Sequence, residues 1–203
     1  SSVITLGVTE AGDYIRATPE SLATAHIPLG SLNAVTGISA AGKTYDGNTV
    51  ASLNSGSAGF TGMVSGDSLS VASASGAFTD KNADTGKTVN ISDITLGGTD
   101  AGNYTLADAT ATATADIAKA SLTITANAAS KTYDGLAYSG GNGVAYGGFV
   151  NGETSSVLGG TVAYSGTSQG AINTGNYVIA PGGQTSGNYS ISYVDGALTI
   201  NVD

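Results

Sequence analysis

Cysteine and tryptophan are absent from this 203-residue chain, and histidine occurs once. Without cysteine, neither a disulfide framework nor a thiolate metal site is available. Six basic residues stand against 15 acidic ones, for a net charge of -9. Because phosphate neutralisation by lysine and arginine dominates nucleic-acid affinity, nucleic acid is excluded as a partner, and an anionic membrane surface is disfavoured.

Long apolar runs are also absent, so the sequence predicts no membrane insertion. The first residues lack the basic and apolar regions of a signal peptide. If the protein is exported, we expect its signal to lie outside these 203 residues. We also expect Ser1 to be no guide to the natural terminus, and the length of the parent protein stays open.

Small residues and tyrosine supply most of what is present. The chain has 31 glycines, and ten tyrosines against three phenylalanines. Such a composition suits thin cores between sheets joined by tight turns, with rings buried and hydroxyl groups left in contact with water.

Internal repeats divide the chain. The word Lys-Thr-Tyr-Asp-Gly stands at 43–47 and again at 131–135, and residues 4–14 align with residues 94–104. Repeats of this length indicate an array of related modules. We therefore predict the C-terminal part of a preceding unit at 1–34, a whole unit at 35–118 and a second, divergent unit at 119–203.

Alternation of apolar and polar residues marks strands at 68–72, 121–126 and 197–202. Segment 109–116 alternates alanine with Thr110, Thr112 and Thr114, which predicts a strand with a small-residue inner face. An ice-binding or polysaccharide-binding threonine array is the alternative, but one row of three is narrow. The fold class predicted is all-β: small β-grasp-like or sandwich-like domains in an elongated repeat array.

The repeated word predicts a strand end followed by a turn. Its lysine and tyrosine share one strand face, and Asp-Gly readily takes the positive φ of a tight turn. We expect each tyrosine ring to anchor packing. Gly-Asn-Tyr sequences predict further strand starts. These markers are Lys43, Tyr45, Asp46, Gly47, Lys131, Tyr133, Asp134, Gly135, Gly102, Asn103, Tyr104, Gly187, Asn188 and Tyr189.

Several motifs in order carry a family resemblance. Lys-Thr-Tyr-Asp-Gly at 43–47, FTDKNADTGKTV at 78–89 and LGGTDAGNYTL at 96–106 resemble the YDG repeats of large secreted bacterial adhesins, the filamentous-haemagglutinin-like exoproteins of two-partner secretion. YGGFVNGE at 146–153 and SGNYSISYVDGALTI at 186–200 resemble the sister MBG, or mostly β-grasp, domain. The resemblance implies an extracellular, secreted or cell-surface tandem-repeat stalk or adhesive fibre, and by itself it names no ligand.

Catalytic chemistry has little support. His26 is the single imidazole, has no recognisable catalytic partners and is interpreted as a strand or loop residue. We predict that the chain is not an enzyme and binds no organic cofactor. Calcium is the one candidate ion, because Asp80, Asn82 and Asp84 offer oxygen atoms at alternate positions. The glycine comes one place late and the twelfth position is Ile91, so a solvated turn is the competing interpretation.

Three functions follow. The leading hypothesis is a repeat spacer in an adhesin or biofilm matrix fibre, with neighbouring repeats as partners. The second is a filament subunit that joins copies of itself by strand complementation through residues 1–34. The third is binding of surface glycans or a host surface through Tyr138, Tyr146 and Tyr164.

Overall fold

The computed structural model describes residues 27–202. Within them the chain is almost entirely β, with two short 3-10 turns at Ala101–Asn103 and Ser155–Val157 and no α-helix. No helix in this part of the chain is long and apolar enough to cross a membrane. The predicted all-β class of small domains in tandem is confirmed. His26 and residues 4–14 lie outside the described residues.

The first module covers residues 30–118 and contains eleven strands. They are β1 Gly30–Leu32, β2 Ala34–Thr36, β3 Ser39–Ala40, β4 Lys43–Thr44, β5 Val50–Ala51, β6 Leu53–Asn54, β7 Gly59–Thr61, β8 Ser70–Phe78, β9 Asp84–Gly97, β10 Tyr104–Leu106 and β11 Ala111–Ala118. Five of them form one sheet in the order β4-β11-β9-β8-β5. The remaining six pair as β1 with β10, β2 with β7 and β3 with β6.

The second module covers residues 120–202 and contains seven strands. They are β12 Ala120–Ala126, β13 Ala129–Thr132, β14 Val144–Gly147, β15 Gly159–Ser165, β16 Gly175–Thr185, β17 Tyr189–Val194 and β18 Gly196–Asn201. One sheet has the order β14-β12-β17 and the other the order β13-β18-β16-β15.

The two modules share a topology as well as a sequence word. In each, the first strand pairs in parallel with the strand that a Gly-Asn-Tyr tyrosine begins: Gly30 lies opposite Tyr104, and Ala120 opposite Tyr189. In each, the lysine of the repeated word lies in parallel register with an isoleucine of the last strand. The sequence repeat is therefore a repeat of strand order.

Residues 30–34, which the sequence pattern assigned to a preceding unit, pair inside the first module. Strand β1 pairs with β10, late in the module's sequence, and strand β2 pairs with β7, in its first half. The physical reason is that short opening strands need partners for their backbone groups, and these partners lie in the same unit. At the other end, only Lys119 separates β11 from β12.

The hydrophobic core does not stop at the module boundary. Val89, Ile91 and Ile117 of the first module belong to one buried cluster with Leu122 and Ile124 of the second. A separate, smaller cluster around Ile179, Leu198 and Ile200 lies within the second module. The first strand of the second module therefore contributes directly to the core of the first.

Candidate functional site

The repeated loop is built the same way in both modules. Lys43 Nζ donates to Asp46 Oδ1 at 2.8 Å and to the carbonyl oxygen of Val50 at 3.0 Å. Lys131 Nζ donates to Asp134 Oδ1 at 2.6 Å and to the carbonyl oxygen of Leu136 at 2.8 Å. The lysine thus closes each turn by bonding both to the aspartate and to a backbone carbonyl oxygen beyond it. We call residues 43–50 and 131–136 the first and second tyrosine loops.

Turn chemistry agrees with the sequence-based prediction. Gly47 and Gly135 have φ values of 78° and 71°, in the region that glycine takes without steric cost. Burial opposes ionisation of Asp46, but hydrogen bonds from Lys43 and the Asn48 backbone outweigh it and lower its pKa. The pKa of Asp134 is also lowered, chiefly by the hydrogen bond from Lys131. Asp46 and Asp134 are therefore ionised at neutral pH.

Tyr45 of the first loop lies at the junction between the modules. Its side chain is 2% exposed and meets the ring of Tyr189 edge-on, with ring centroids 5.4 Å apart. The Phe149 ring meets Tyr189 in the same manner at 5.5 Å. Edge-to-face pairs place a positive ring edge against a negative face, and they favour one relative orientation of the rings.

Glu153 is the polar centre of this junction. Its carboxylate accepts hydrogen bonds from the hydroxyl groups of Tyr45 and Tyr189, both at 2.7 Å, and from Lys81 Nζ at 2.8 Å. Tyr45 and Lys81 belong to the first module, whereas Tyr189 and Glu153 belong to the second. One carboxylate therefore accepts three charge-assisted hydrogen bonds, and the two from Tyr45 and Lys81 join the modules.

The titration of these groups follows from their packing. Burial would raise the pKa of Glu153, but the hydrogen bonds from Lys81, Tyr189 and Tyr45 outweigh it and lower the pKa to about 2. Burial and the Glu153 carboxylate together raise the pKa of Tyr45. The Glu153 hydrogen bond likewise raises the pKa of Lys81. At neutral pH the cluster holds one carboxylate, one ammonium group and two neutral phenols.

Asparagines complete the junction. Asn151 Nδ2 donates to the carbonyl oxygen of Gly47 at 3.2 Å. Asn188 accepts from the backbone N–H of Ala83 at 2.9 Å and donates to Asn82 Oδ1 at 3.1 Å. These side chains hold the loop ends of the first module to the Gly-Asn-Tyr turn of the second. Hydrogen bonds therefore join the two modules at the edge of the junction as well as at its centre.

We call the part of the junction that holds the Glu153 carboxylate, in the second module, the acceptor half, and the first tyrosine loop the donor half. A backbone hydrogen bond also holds the acceptor half in place. The N–H of Val150 donates to the Tyr189 hydroxyl oxygen at 3.1 Å, while that hydroxyl donates to Glu153. We call Phe149, Val150, Glu153, Asn188 and Tyr189 the filled socket, since Tyr45 enters it. Tyr189 is thus held by two hydrogen bonds within the second module, independently of the first module.

The other predicted marker residues fall in equivalent places but are not brought together. Tyr104 begins β10, and Gly102 and Asn103 lie in the 3-10 turn directly before it. Tyr104 is 7% exposed and its hydroxyl donates to Asp67. Gly187 precedes Asn188 at the start of β17. Tyr133 of the second loop is 45% exposed, so its ring does not pack as that of Tyr45 does.

The residues predicted for calcium lie in and after the β8–β9 turn. Asp80 Oδ1 accepts from Lys87 Nζ and from the Asn82 N–H, both at 2.8 Å, and Asp84 Oδ1 accepts from Thr85 N–H at 2.8 Å. Within residues 27–202, no group of three or more His, Cys, Asp or Glu side chains is placed to hold a metal ion.

Calcium at this turn stays a prediction, and binding there would have to displace the Lys87 ion pair. Extracellular calcium modules bind with dissociation constants of about 0.1–1 mM. A calcium-bound turn predicts a melting temperature that rises with millimolar calcium and stops rising in Asp80→Asn. An unchanged melting temperature in the unaltered chain would exclude the ion.

The tyrosines considered for glycans serve packing. The Tyr146 hydroxyl donates to Gln184 Oε1 at 2.8 Å, and its ring packs against Phe149. Tyr138 and Tyr164 are half-buried against the smaller core cluster. Tyr138 also borders an open groove of ≈ 590 Å³.

The two modules share a strand order and a hydrophobic core, so the chain belongs to the class of tandem β-repeat proteins. A family model described as the YDG domain matches residues 30–113, and one described as the MBG domain (YGX type) matches residues 122–199. The chain therefore carries a YDG domain followed by an MBG domain, as predicted. No curated protein and no solved structure matches it. Neither domain family is a known enzyme family.

Sequence reasoning missed Glu153 and Lys81. Glu153 lies in the motif YGGFVNGE at 146–153 and Lys81 in the motif FTDKNADTGKTV at 78–89, and neither motif by itself indicates a role for the side chain. A signal existed: the segments GMVSGD at 62–67 and GFVNGE at 148–153 share Gly-x-Val-x-Gly followed by an acid. Aligning them would have marked the acidic position as a repeated feature. Its tyrosine partners come from distant segments and required the structure.

Proposed function

We propose that this chain is a non-enzymatic structural segment of a long extracellular adhesin or matrix fibre, in which each module is a spacer. The observation that carries the proposal is the junction around Glu153. A single linking residue, Lys119, and two charge-assisted bonds from Tyr45 and Lys81 to Glu153 hold the modules in one arrangement. A spacer needs such a joint, because an array of freely hinged modules would not transmit extension.

The hydrophobic core that the two domains share supports the same function. The first strand of the MBG domain supplies Leu122 and Ile124 to the core of the YDG domain. In repeat arrays, stability adds through nearest-neighbour interfaces of this kind, and thin modules are sufficient. The matched domains are compatible with extracellular adhesin-like repeat segments. A cell-surface or secreted location, with neighbouring repeats as partners, belongs to this proposal.

Small-angle X-ray scattering of the full chain tests it. At concentrations low enough for the chain to be monomeric, we expect a rod whose maximum dimension is well defined. Tyr45→Ala should loosen the junction and broaden the distance distribution, whereas Tyr133→Ala, the same change in the exposed loop, should leave it unaltered. A compact globule, or identical scattering from all three proteins, would contradict the proposal.

Glycan binding is a second candidate, favoured by one observation: Tyr138 borders the open groove of the MBG domain with Asn142 and Ser130. Aromatic and amide groups together suit a sugar ring, although half of the Tyr138 ring is committed to packing. A glycan array probed with the full chain and with Asn142→Ala tests this function. Signal lost in the variant supports it, and no signal from either protein rejects it.

Strand complementation through residues 1–34 is constrained by the first module. Residues 30–32 and 34–36 are already paired with β10 and β7 of the same chain. The remaining part of that segment, up to residue 26, lies outside the described residues. Deleting residues 1–26 tests the alternative, since filaments that persist without them would refute it.

A further inference from the structure

The YDG domain carries a second copy of the acceptor half of the junction. The N–H of Val64 donates to the Tyr104 hydroxyl oxygen at 3.0 Å, and that hydroxyl donates to Asp67. These are the bonds that fix the tyrosine of the filled socket. Asn103 precedes Tyr104 as Asn188 precedes Tyr189. We call Met63, Val64, Asp67, Asn103 and Tyr104 the open socket.

Within residues 27–202, Ile27, Pro28 and Leu29 line one side of the open socket, and no tyrosine ring enters it as Tyr45 enters the filled socket. Met63 is 39% exposed and Val64 61% exposed, whereas Phe149 and Val150, their counterparts, are half-buried against the shared core. A cavity of ≈ 390 Å³ lies at this place, lined in part by Asp67 and Tyr104. Leaving Val64 so exposed is costly for a single chain, because apolar side chains gain from leaving water. A partner that filled the socket would bury Val64 and so gain this free energy.

The second module carries a copy of the donor half of the junction, the second tyrosine loop, and its tyrosine is exposed. Tyr133 is 45% exposed, against 2% for Tyr45 in the same position of its loop. A Cβ added to Gly47 would lie 2.7 Å from Asn151, while one added to Gly135 would meet nothing within 4 Å. The backbone of the second loop has the same positive-φ turn and the same lysine–aspartate pair. It is thus already in the conformation that fills a socket.

We propose that the open socket of one chain receives the second tyrosine loop of another copy of this chain, so that copies join end to end. The Tyr133 ring would pack against Tyr104 and Val64, and its hydroxyl would donate to Asp67. The argument rests on continuity: the same donor and acceptor already meet once inside the chain. Since donor and acceptor are different surfaces, the contact is heterologous and generates an open series rather than a closed dimer.

The contact between copies is weaker than the internal one for a visible reason. Lys81, which neutralises Glu153, lies in the β8–β9 turn, and the β15–β16 turn at 166–174 contains no lysine. Asp67 therefore receives a neutral phenol alone from the second copy. This proposal extends beyond the spacer function, which needs only the internal junction and would survive its failure.

Disulfide trapping tests the proposal directly, because the chain has no cysteine of its own. Gly47 and Asn151 are adjacent across the internal junction, and their counterparts are Gly135 and Ser65. Full-length Gly135→Cys and Ser65→Cys chains, mixed under mild oxidation, should form a mixed dimer severalfold faster than Ser65→Cys mixed with Thr112→Cys, whose cysteine lies on an exposed strand face. Equal rates would overturn the proposal.

Sedimentation equilibrium gives a second test that needs no strained cysteine. The unaltered chain should self-associate with rising concentration, and Tyr133→Ala should weaken the association by about tenfold or more, as expected for a central aromatic anchor. Tyr193→Ala removes a tyrosine of similar exposure, 37%, outside both surfaces and should have no effect. A chain that stays monomeric at millimolar concentration, or equal association of both variants, would overturn it.

Discussion

Tyr45 and Tyr133 show that one residue in one loop can have two energetic roles. Both follow a Lys-Thr strand end and precede Asp-Gly, but only Tyr45 is buried. The difference comes from Glu153 and Tyr189, which meet Tyr45 alone. The role of the tyrosine is therefore set by the neighbouring module, and the loop sequence provides the geometry.

Truncating the two tyrosines should have unequal costs. We expect Tyr45→Ala to lower the free energy of unfolding by about 3–4 kcal/mol, as for other large buried aromatic side chains. We expect Tyr133→Ala to cost less than about 1 kcal/mol at concentrations where the chain is monomeric. Urea denaturation of both variants measures the difference. Equal costs would mean that the junction contributes nothing to stability.

The two turn glycines provide a second matched pair. Alanine at either position is strained by about 1–2 kcal/mol, because φ is positive at both. At Gly47 the new methyl group would also press on Asn151, 2.7 Å away, whereas space is open at Gly135. Gly47→Ala should therefore cost about 1 kcal/mol or more beyond Gly135→Ala in urea denaturation. The reverse order would place Asn151 elsewhere in solution.

Local chemistry was predictable at this scale and contacts between modules were not. The Asp-Gly turn, its positive φ and the lysine–aspartate pair follow from five consecutive residues. The three bonds to Glu153 join residues from both modules, and no periodicity or spacing links them. Tyr133 shows the limit of prediction from the sequence. Its ring is exposed because no neighbouring module among the described residues packs against it, and the loop sequence does not reveal this.

Strands with clear alternation were predictable because burial on one face leaves a mark every second residue. Strand β11 buries Ala115 and turns Thr112 and Thr114 outward, as the alternating segment predicted. The opening strands β1 to β7 are two or three residues long, too short for a period to register. Strand β1 is placed by its partner β10 from late in the module, so the boundary near residue 30 required the structure.

Neighbouring positions on β11 should respond differently to added volume. Ala115 is 9% exposed and faces the core, so Ala115→Leu should destabilise the chain by about 1–3 kcal/mol through overpacking. Thr114 is exposed on the other face, and Thr114→Leu should change stability by less than about 0.5 kcal/mol. Thermal melts of both variants measure this contrast. Similar losses at both positions would place the strand in a different register.

At the scale of the molecule, the two domains are coupled through apolar packing and one carboxylate. Leu122, Ile124 and Tyr189 of the MBG domain share a buried cluster with residues of the YDG domain. Dispersion and burial set how strongly the domains adhere, and they are independent of pH. The polar cluster at Glu153 adds an orientation and makes the adhesion depend on pH.

Acid should weaken the junction through Glu153. The folded-state pKa of about 2 lies below the ordinary value of 4.5, so the ionised form is the one that folding favours. Its contribution is complete above about pH 5, and it is lost as pH falls from 4.5 towards 2. Glu153→Gln removes this contribution, about 2 kcal/mol for hydrogen bonds to a charged group. The two proteins should differ most at neutral pH and converge near pH 2.

Urea denaturation across this pH range measures that convergence, and Asp134→Asn supplies the control. Asp134 also pairs with a lysine, but its side chain is 51% exposed and lies away from the junction. A solvent-exposed ion pair contributes little to stability, so the Asp134→Asn variant should stay close to the unaltered protein at every pH. The free energies of unfolding of Glu153→Gln and the unaltered chain should no longer differ at pH 2. If the difference persisted there undiminished, the hydrogen-bonding geometry of Glu153, and not its charge, would couple the domains.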